Sequence, residues 1–121
     1  AAHLALPSTA MPGLHEHERD VVPFDSTERF HDRIRQFFAD PASVVYGTES
    51  ADAAHARFAT AICDVLAAHP SGSLAVVAHG TVISLLVARA NSIEPFPFWA
   101  GLDLPSFVVV ERDSFVLVAT D

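Results

Sequence analysis

The dipeptide His79-Gly80 stands where a short apolar run, Leu74–Ala78, gives way to a second apolar stretch that begins at Val82. The first run is rich in valine and short enough for a buried strand, whereas the second favours a buried helix. A histidine at the carboxyl end of a parallel strand faces the crevice where open α/β sheets bind ligands, and the next helix points its free amides there. The sequence therefore predicts an anion site with the imidazole of His79 beside it.

The two residues after His79 suit that site. Gly80 permits a tight turn and the close approach of a ligand, and the hydroxyl of Thr81 can cap the following helix. An alternative stays open, in which His79 is a hydrogen-bonded core histidine and Gly80 serves only the turn.

Leu14–Asp20, with the sequence LHEHERD, is the second dense cluster of ionisable side chains. On an extended segment the two histidines would share one face with Arg19, and the two glutamates would share the other. His15, His17 and a carboxylate could contribute to a metal site, although no third ligand stands at a recognisable spacing. A solvated loop of mixed charge is the alternative interpretation.

The sequence only partly defines the elements on either side of the ionisable cluster Leu14–Asp20. Ala1–Leu6 is typical of the end of a helix that Pro7 closes, and Ser8–Gly13 can form a short edge strand. A helix is predicted to begin at Asp25, whose carboxylate can accept from first-turn amides, with Glu28 in a capping-box position.

Two amphipathic helices are predicted before the turn at His79. The first ends near Asp40-Pro41, and its apolar stripe consists of Phe30, Ile34, Phe37 and Phe38. The second opens at Thr48–Ser50 and stops at His69-Pro70; its apolar face consists of Ala51, Ala54, Phe58, Ile62, Val65 and Leu66. Cys63 is predicted to lie on the apolar side of this helix as a small core residue.

The C-terminal third combines an aromatic connection with a hairpin. Asn91–Leu104 is rich in proline and aromatic residues, and Phe96–Trp99 is predicted to form a short helical turn over the core. These aromatic rings could equally line the rim of a pocket. Ser106–Glu111 and Ser114–Thr120 are rich in β-forming residues and predict an antiparallel hairpin.

The composition limits the class of protein. A chain of 121 residues that is 50% apolar can bury one core, so a single domain is expected. Fifteen acidic residues against seven arginines, with a net charge of −8, argue against nucleic-acid binding. One cysteine allows no disulfide within the chain, and the apolar stretches predict neither a membrane span nor a signal peptide, so we expect a cytoplasmic protein.

Three motifs, taken in order, resemble the histidine phosphatase superfamily, which includes the cofactor-dependent phosphoglycerate mutases. VVAHGTVISLL, Val76–Leu86, resembles the second-histidine motif, a strand that ends in His-Gly and leads into an apolar helix. GLHEHERD, Gly13–Asp20, resembles the Leu-x-Glu segment that carries the proton-donating carboxylate. GTES, Gly47–Ser50, resembles the Gly-Glu-Ser that opens the helix before the second-histidine strand.

The resemblance implies an α/β fold with a three-layer α/β/α, phosphoglycerate mutase-like mixed sheet. It also implies phosphomonoester hydrolysis or phosphoryl transfer through a phosphohistidine, on a small phosphorylated substrate and without a metal or cofactor. Glu16 would be the general acid, and His79 would stabilise the phosphoryl oxygens. His79, Gly80 and Thr81 would bind phosphate at the start of the helix.

The resemblance further implies a lid that selects the substrate. Val21–Val45 and Phe96–Trp99 would form this lid, and its aromatic residues would be Phe24, Phe98 and Trp99. His15 and His17 would flank the acid, where they either tune its pKa or face solvent.

The sequence departs from the family at the nucleophile. Histidine phosphatases begin with a strand that ends in Arg-His-Gly, whereas the only His-Gly here is His79-Gly80 and Ala78 precedes it. We therefore expect the N-terminal strands to be missing from this chain and the chain alone to be inactive. A missing N-terminal segment, or another copy of the chain, is expected to complete the sheet.

Two further interpretations stay open. A non-catalytic remnant of the fold could act as a binding or assembly module. An α/β-hydrolase fragment is the other, but the sequence contains no Gly-x-Ser-x-Gly elbow and Ser84 lies inside the predicted helix.

Overall fold

The computed structural model describes residues 6–19, 26–103 and 105–121, and these residues form four helices and one hairpin. The helices are α1 (Thr27–Ala39), α2 (Ala51–Ala68), α3 (Gly80–Asn91) and α4 (Pro95–Ala100), and the strands are β1 (Val108–Val110) and β2 (Leu117–Thr120). Among the described residues, no helix combines the length and the apolar character that crossing a bilayer requires.

Helices α1 and α2 both begin at serine caps. The Ser26 hydroxyl accepts from the Arg29 amide at 3.2 Å, and the Ser50 hydroxyl accepts from the Ala53 amide at 3.1 Å. Each bond satisfies one amide that the first turn leaves without a partner. The predicted opening of the second helix at Ser50 is confirmed, whereas Asp25, the predicted start of the first, lies outside the described residues.

The core lies where α1, α2 and α3 bring their apolar stripes together. Its buried members are Ile34, Phe37, Phe38, Tyr46, Ala51, Ala54, Phe58, Ile62, Val82, Leu85 and Leu86. The predicted stripes are confirmed, with Phe30 and Leu66 only half-buried at the edge. The prediction for Cys63 is wrong: it is exposed, because it stands one helical position beyond the face that Ile62 marks.

Leu74–Ala78 does not form the predicted strand. It has no ladder partner among the described residues, whose sheet consists of β1 and β2 alone, and Val77 is 93% exposed. Valine-rich composition favours a strand, but a strand forms only where a neighbouring chain accepts its hydrogen bonds. The described residues therefore do not form the predicted three-layer α/β/α mixed sheet.

The N-terminal segment also differs from the prediction. Residues 6–12 contain no strand, and the chain turns at Pro12-Gly13, so the predicted edge strand at Ser8–Gly13 is absent. Gly13 has a φ of +88°, which a strand residue does not adopt. Residues 1–5 of the predicted N-terminal helix end lie outside the described part of the chain.

The predicted hairpin is confirmed. Strands β1 and β2 pair antiparallel, with Val108 opposite Thr120 and Val110 opposite Leu117, and an irregularity follows Val109. The connecting turn places Asp113 in the left-handed region at a φ of +67°. The strands are shorter than predicted, because the connection runs over residues 111–116 rather than Arg112-Asp113 alone, with Phe115 also in the left-handed region at a φ of +60°.

Two polar side chains fasten the hairpin to the helices. Arg112 donates to the carbonyls of Leu66 (3.2 Å), His69 (2.6 Å) and Gly72 (2.9 Å), so its guanidinium satisfies carbonyls at the end of α2. At the end of α3, Asn91 donates to the Phe115 carbonyl at 3.0 Å and accepts from the Leu117 amide at 2.8 Å. Polar contacts at two helix ends thus set the position of the hairpin.

Candidate functional site

His79 lies at the start of α3, as the sequence predicts. It is the residue before the first helical turn, with extended backbone (φ −134°, ψ 155°) and no capping bond from its side chain. The imidazole is exposed, so the alternative of a core histidine is wrong. An exposed imidazole therefore stands beside a helix N-terminus, although the residues before it form no strand.

Glu16 binds the N-terminus of α3. One carboxylate oxygen accepts from the Thr81 amide at 3.1 Å, and the other accepts from the amides of Val82 (3.1 Å) and His17 (2.9 Å). A carboxylate at this position satisfies free amides and interacts favourably with the helix dipole. The structure thus brings Glu16 and His79 to the same helix end.

Thr81 does not cap α3, so that prediction is wrong. It lies inside the first turn, fully buried, and its hydroxyl accepts from Arg19 Nη2 at 3.2 Å. The amides that a capping hydroxyl would satisfy are already bound by the Glu16 carboxylate. A side chain distant in sequence therefore replaces the local cap.

Arg19 is a site residue that sequence reasoning missed. Its Nη2 lies 3.2 Å from Glu16 Oε2, and its guanidinium carbon lies 5.1 Å from the ring centre of Phe30 and 5.8 Å from that of Tyr46. The extended segment assumed for residues 14–20 would put Arg19 and Glu16 on opposite faces. That assumption is wrong, since the segment turns and brings the cation onto the carboxylate.

His15 and His17 occupy different environments. His15 is exposed and pairs with Glu18 at 2.9 Å, whereas His17 is 2% exposed and its Nε2 lies 2.7 Å from the Glu49 carbonyl. The two rings therefore do not share a face, contrary to the prediction. Within the described part of the chain, no three His, Cys, Asp or Glu side chains are grouped to hold a metal ion.

The imidazole of His17 is a buried neutral group. Burial lowers the pKa of His17 below its ordinary value, and the nearby Arg19 adds to this effect, against the bond to the Glu49 carbonyl and the charges of Glu49 and Glu16. Since a carbonyl can only accept, we assign the proton to Nε2. The ring packs against Phe37 at a tilt of 48°, with 4.2 Å between the ring centres, so His17 fixes the second cluster to α1.

Glu49 and Arg57 form a clamp around the second cluster. Two guanidinium nitrogens of Arg57 each lie 2.9 Å from a Glu49 oxygen. The same guanidinium donates to the carbonyls of Gly13 (2.9 Å), His15 (2.7 Å) and Glu16 (3.2 Å). The clamp therefore fixes the backbone on both sides of Glu16, and no sequence signal identified Arg57.

The environment of Glu49 keeps it ionised. Burial alone would raise the pKa of Glu49, but the hydrogen bonds from Arg57 and from the Glu18 amide outweigh it and hold the pKa below its ordinary value. The Glu18 amide donates to Glu49 Oε1 at 3.2 Å. The GTES motif thus supplies the anion that orders the Leu-x-Glu segment.

Gly47, the first residue of that motif, has a conformational role. Its φ of +71° is in the left-handed region, and a Cβ added there would collide with the Glu18 carbonyl oxygen. The next residue, Thr48, donates its amide to the same oxygen at 2.7 Å. Only glycine allows the two segments to approach this closely.

The structure describes two of the three predicted aromatic lid residues. Phe24 lies outside the described residues, and Phe98 and Trp99 are half-buried on α4, which confirms the predicted helical turn. Trp99 Nε1 lies 3.7 Å from the position that a Cβ on Gly80 would occupy. The indole therefore borders the start of α3.

Two clefts lie away from this helix end. One, of about 470 Å³, is lined by residues that include Leu85 and Arg89 at the far end of α3, and the other, of about 450 Å³, lies beside Gly13 and Arg57. Neither is lined by Glu16 or His79.

The pKa of His17 predicts how stability depends on pH. Because the folded state holds this pKa below 6.5, the unfolded chain takes up the proton first, and the free energy of unfolding should fall as the pH drops below about 6.5. A second loss should begin below about pH 4.5, where unfolded Glu49 is protonated before folded Glu49. Urea titrations at a series of pH values measure both.

A matched pair of variants assigns the first loss. Burial also lowers the pKa of His55. His17→Gln and His55→Gln therefore each remove one titrating group, and each should reduce the dependence near pH 6. A dependence that stays equally steep in His17→Gln would contradict the assignment.

Comparison with known families agrees with the motifs. The family model for the histidine phosphatase superfamily (branch 1) matches residues 1–117, a range that contains both Glu16 and His79. Neither a curated protein nor a solved structure matches the chain.

Proposed function

Because the chain belongs to the histidine phosphatase superfamily, we propose that it takes part in phosphomonoester hydrolysis or phosphoryl transfer at the N-terminus of α3. One observation carries the proposal: the Glu16 carboxylate lies on the amides of Thr81 and Val82, directly after the exposed His79. A carboxylate, which could act as an acid, and an exposed imidazole therefore both stand at this helix N-terminus.

The resting position of Glu16 defines the first step. Its carboxylate occupies amides that a phosphoryl group would use, and its side chain is 24% exposed. We propose that the phosphoryl oxygens displace the carboxylate from Thr81 and Val82 because they carry more negative charge. The released Glu16 then takes up a proton and faces the leaving oxygen.

In the second step the phosphoryl group is transferred to the attacking histidine. The bond from its nitrogen to phosphorus forms as the bond from phosphorus to the alcohol oxygen breaks, and Glu16 gives its proton to that oxygen. His79 donates a hydrogen bond to a phosphoryl oxygen, since its side chain is not used to cap α3. The oxygen of a water molecule then forms a bond to phosphorus as the bond from phosphorus to the histidine nitrogen breaks, and the Glu16 carboxylate takes up the proton of that water. This step releases phosphate and restores the protonated acid.

We place the attacking histidine on a segment outside these 121 residues, because the only His-Gly of the chain is His79-Gly80. The unpaired run Leu74–Ala78, with Val77 93% exposed, gives such a segment, or another copy of the chain, an edge to pair with. The chain alone should therefore self-associate in light scattering and should not hydrolyse an aryl phosphate. A monomeric, active chain would contradict this proposal.

Two substrates whose leaving groups differ in their need for a proton test the acid role of Glu16. In the intact protein that supplies the attacking histidine, Glu16→Gln should slow hydrolysis of an alkyl phosphate by roughly 10²–10⁴-fold. Hydrolysis of p-nitrophenyl phosphate should fall far less, because nitrophenolate leaves without a proton. Equal losses on both substrates would assign Glu16 a structural role, and an intact protein without any turnover would favour the binding or assembly module.

A further inference from the structure

Aromatic side chains border the proposed phosphate site. The half-buried indole of Trp99 places Nε1 and Cδ1 at 3.7 and 3.8 Å from the position that a Cβ on Gly80 would occupy. Gly80 directly follows His79, so the indole lies about one side chain away from the backbone where a phosphoryl group would bind.

Three more rings surround this indole and form what we call the aromatic wall: Phe30, His31, Phe96 and Trp99. The ring centre of Trp99 lies 5.4 Å from that of His31, 5.7 Å from that of Phe30 and 5.8 Å from that of Phe96. These separations are typical of stabilising aromatic pairs. Since α1 and α4 each contribute rings, the wall is held in place before a ligand arrives.

Two arginines at the wall, Arg19 and Arg35, each lie over a ring and pair with a carboxylate, although Nη1 of Arg19 has no hydrogen-bond partner. Arg35 lies 4.4 Å from the ring centre of Phe96 and donates to Asp32 at 2.7 Å. Arg19 lies over Phe30 and holds Glu16 and Thr81. Guanidinium groups thus cover Phe30 and Phe96, which leaves the half-buried Trp99 and the exposed His31 as the rings of the wall that a ligand can contact. The net charge of −8 disfavours a second phosphate group there.

We propose that the alcohol part of the substrate is an aromatic group that packs against Trp99 and His31. This inference rests on the proposed function and adds the class of substrate: an aryl phosphomonoester, in preference to an ester that carries several phosphates. Trp99 and His31 are then specificity-determining residues.

Trp99 is the only tryptophan of the chain, so its fluorescence reports on the wall. Purified chain is titrated with phenylphosphonate, methylphosphonate and methylenediphosphonate, with excitation at a wavelength that phenylphosphonate does not absorb. We expect saturable quenching by phenylphosphonate and an affinity about tenfold above that of methylphosphonate, as one well-packed ring contributes. Calorimetry on the same samples gives affinities that do not depend on quenching.

Variants at exposed histidines supply the matched control. His31→Ala should weaken phenylphosphonate binding several-fold and reduce its advantage over methylphosphonate. His69→Ala, at a histidine outside the wall, should change neither affinity.

The outcomes separate this inference from the proposed function. Equal affinity for phenylphosphonate and methylphosphonate, or tighter binding of methylenediphosphonate, would overturn the aromatic preference while the phosphate site stands. Phenylphosphonate binding that His31→Ala leaves unchanged would also overturn it. If neither monophosphonate binds, the proposed function fails, and the inference fails with it.

Discussion

Glu49→Ala is expected to lower the free energy of unfolding by roughly 3–5 kcal/mol, as the loss of one partner of a buried ion pair does. The side chains of Arg57 and Glu49 are only 18% and 9% exposed, so the variant leaves a largely buried guanidinium without its carboxylate. It also removes the acceptor of the Glu18 amide. Because whole domains are stable by only about 5–15 kcal/mol, urea denaturation should show a large shift.

A second ion pair in the chain provides the control. Arg89 and Asp52 are linked at 2.6 Å, but their side chains are 38% and 51% exposed. Asp52→Ala should therefore change stability by no more than about 1 kcal/mol. Comparable losses in the two variants would mean that the clamp does not hold the second cluster in place.

The second large effect is expected on activity. In the intact protein, His79→Ala should lower kcat/KM for a phosphomonoester by about 10²–10³-fold, the loss typical of one preorganised donor to the transition state. Its stability should change by less than about 0.5 kcal/mol, because the side chain is exposed and makes no capping bond. Steady-state kinetics and thermal denaturation of the same preparation measure the two effects.

His69→Ala is the matched control for that experiment, since it removes an exposed histidine at the end of α2. It should leave both the rate and the melting temperature unchanged. If His79→Ala instead lowers the melting temperature in step with activity, the imidazole has a structural role.

Local patterns predicted the helices well. The apolar spacing along α1 and α2 determines which residues face the core. The hydroxyl of Ser50 caps the N-terminus of α2, so this helix start is also marked locally. Leu74–Ala78 was wrongly predicted as a strand because pairing depends on a neighbour that no local pattern contains. The prediction that Cys63 is buried is wrong for a simpler reason, since a shift of one helical position moves a residue from the core to solvent.

The site was predictable only at its centre. The change from a strand-like run to a helix-like run identified the turn at His79, because that signal is local. The contacts of Arg19, Glu49 and Arg57 join segments that are distant in the chain. Arg19 and Thr81 are 62 positions apart, and Arg57 and Glu16 are 41 positions apart. No spacing rule predicts such contacts, which depend on how the second cluster turns over α2 and α3.

An amide NMR titration of the ¹⁵N-labelled chain with phenylphosphonate tests most directly whether a phosphoryl group binds at the start of α3. Displacement of Glu16 by the phosphonate should shift the amides of Gly80, Thr81 and Val82 saturably and together, with the largest changes at Thr81 and Val82, which now donate to Glu16. The amides beside Arg89, in the cleft at the other end of α3, should stay unchanged. Saturable shifts confined to that cleft, or a spectrum in which Thr81 and Val82 do not move, would contradict phosphoryl binding at the start of α3.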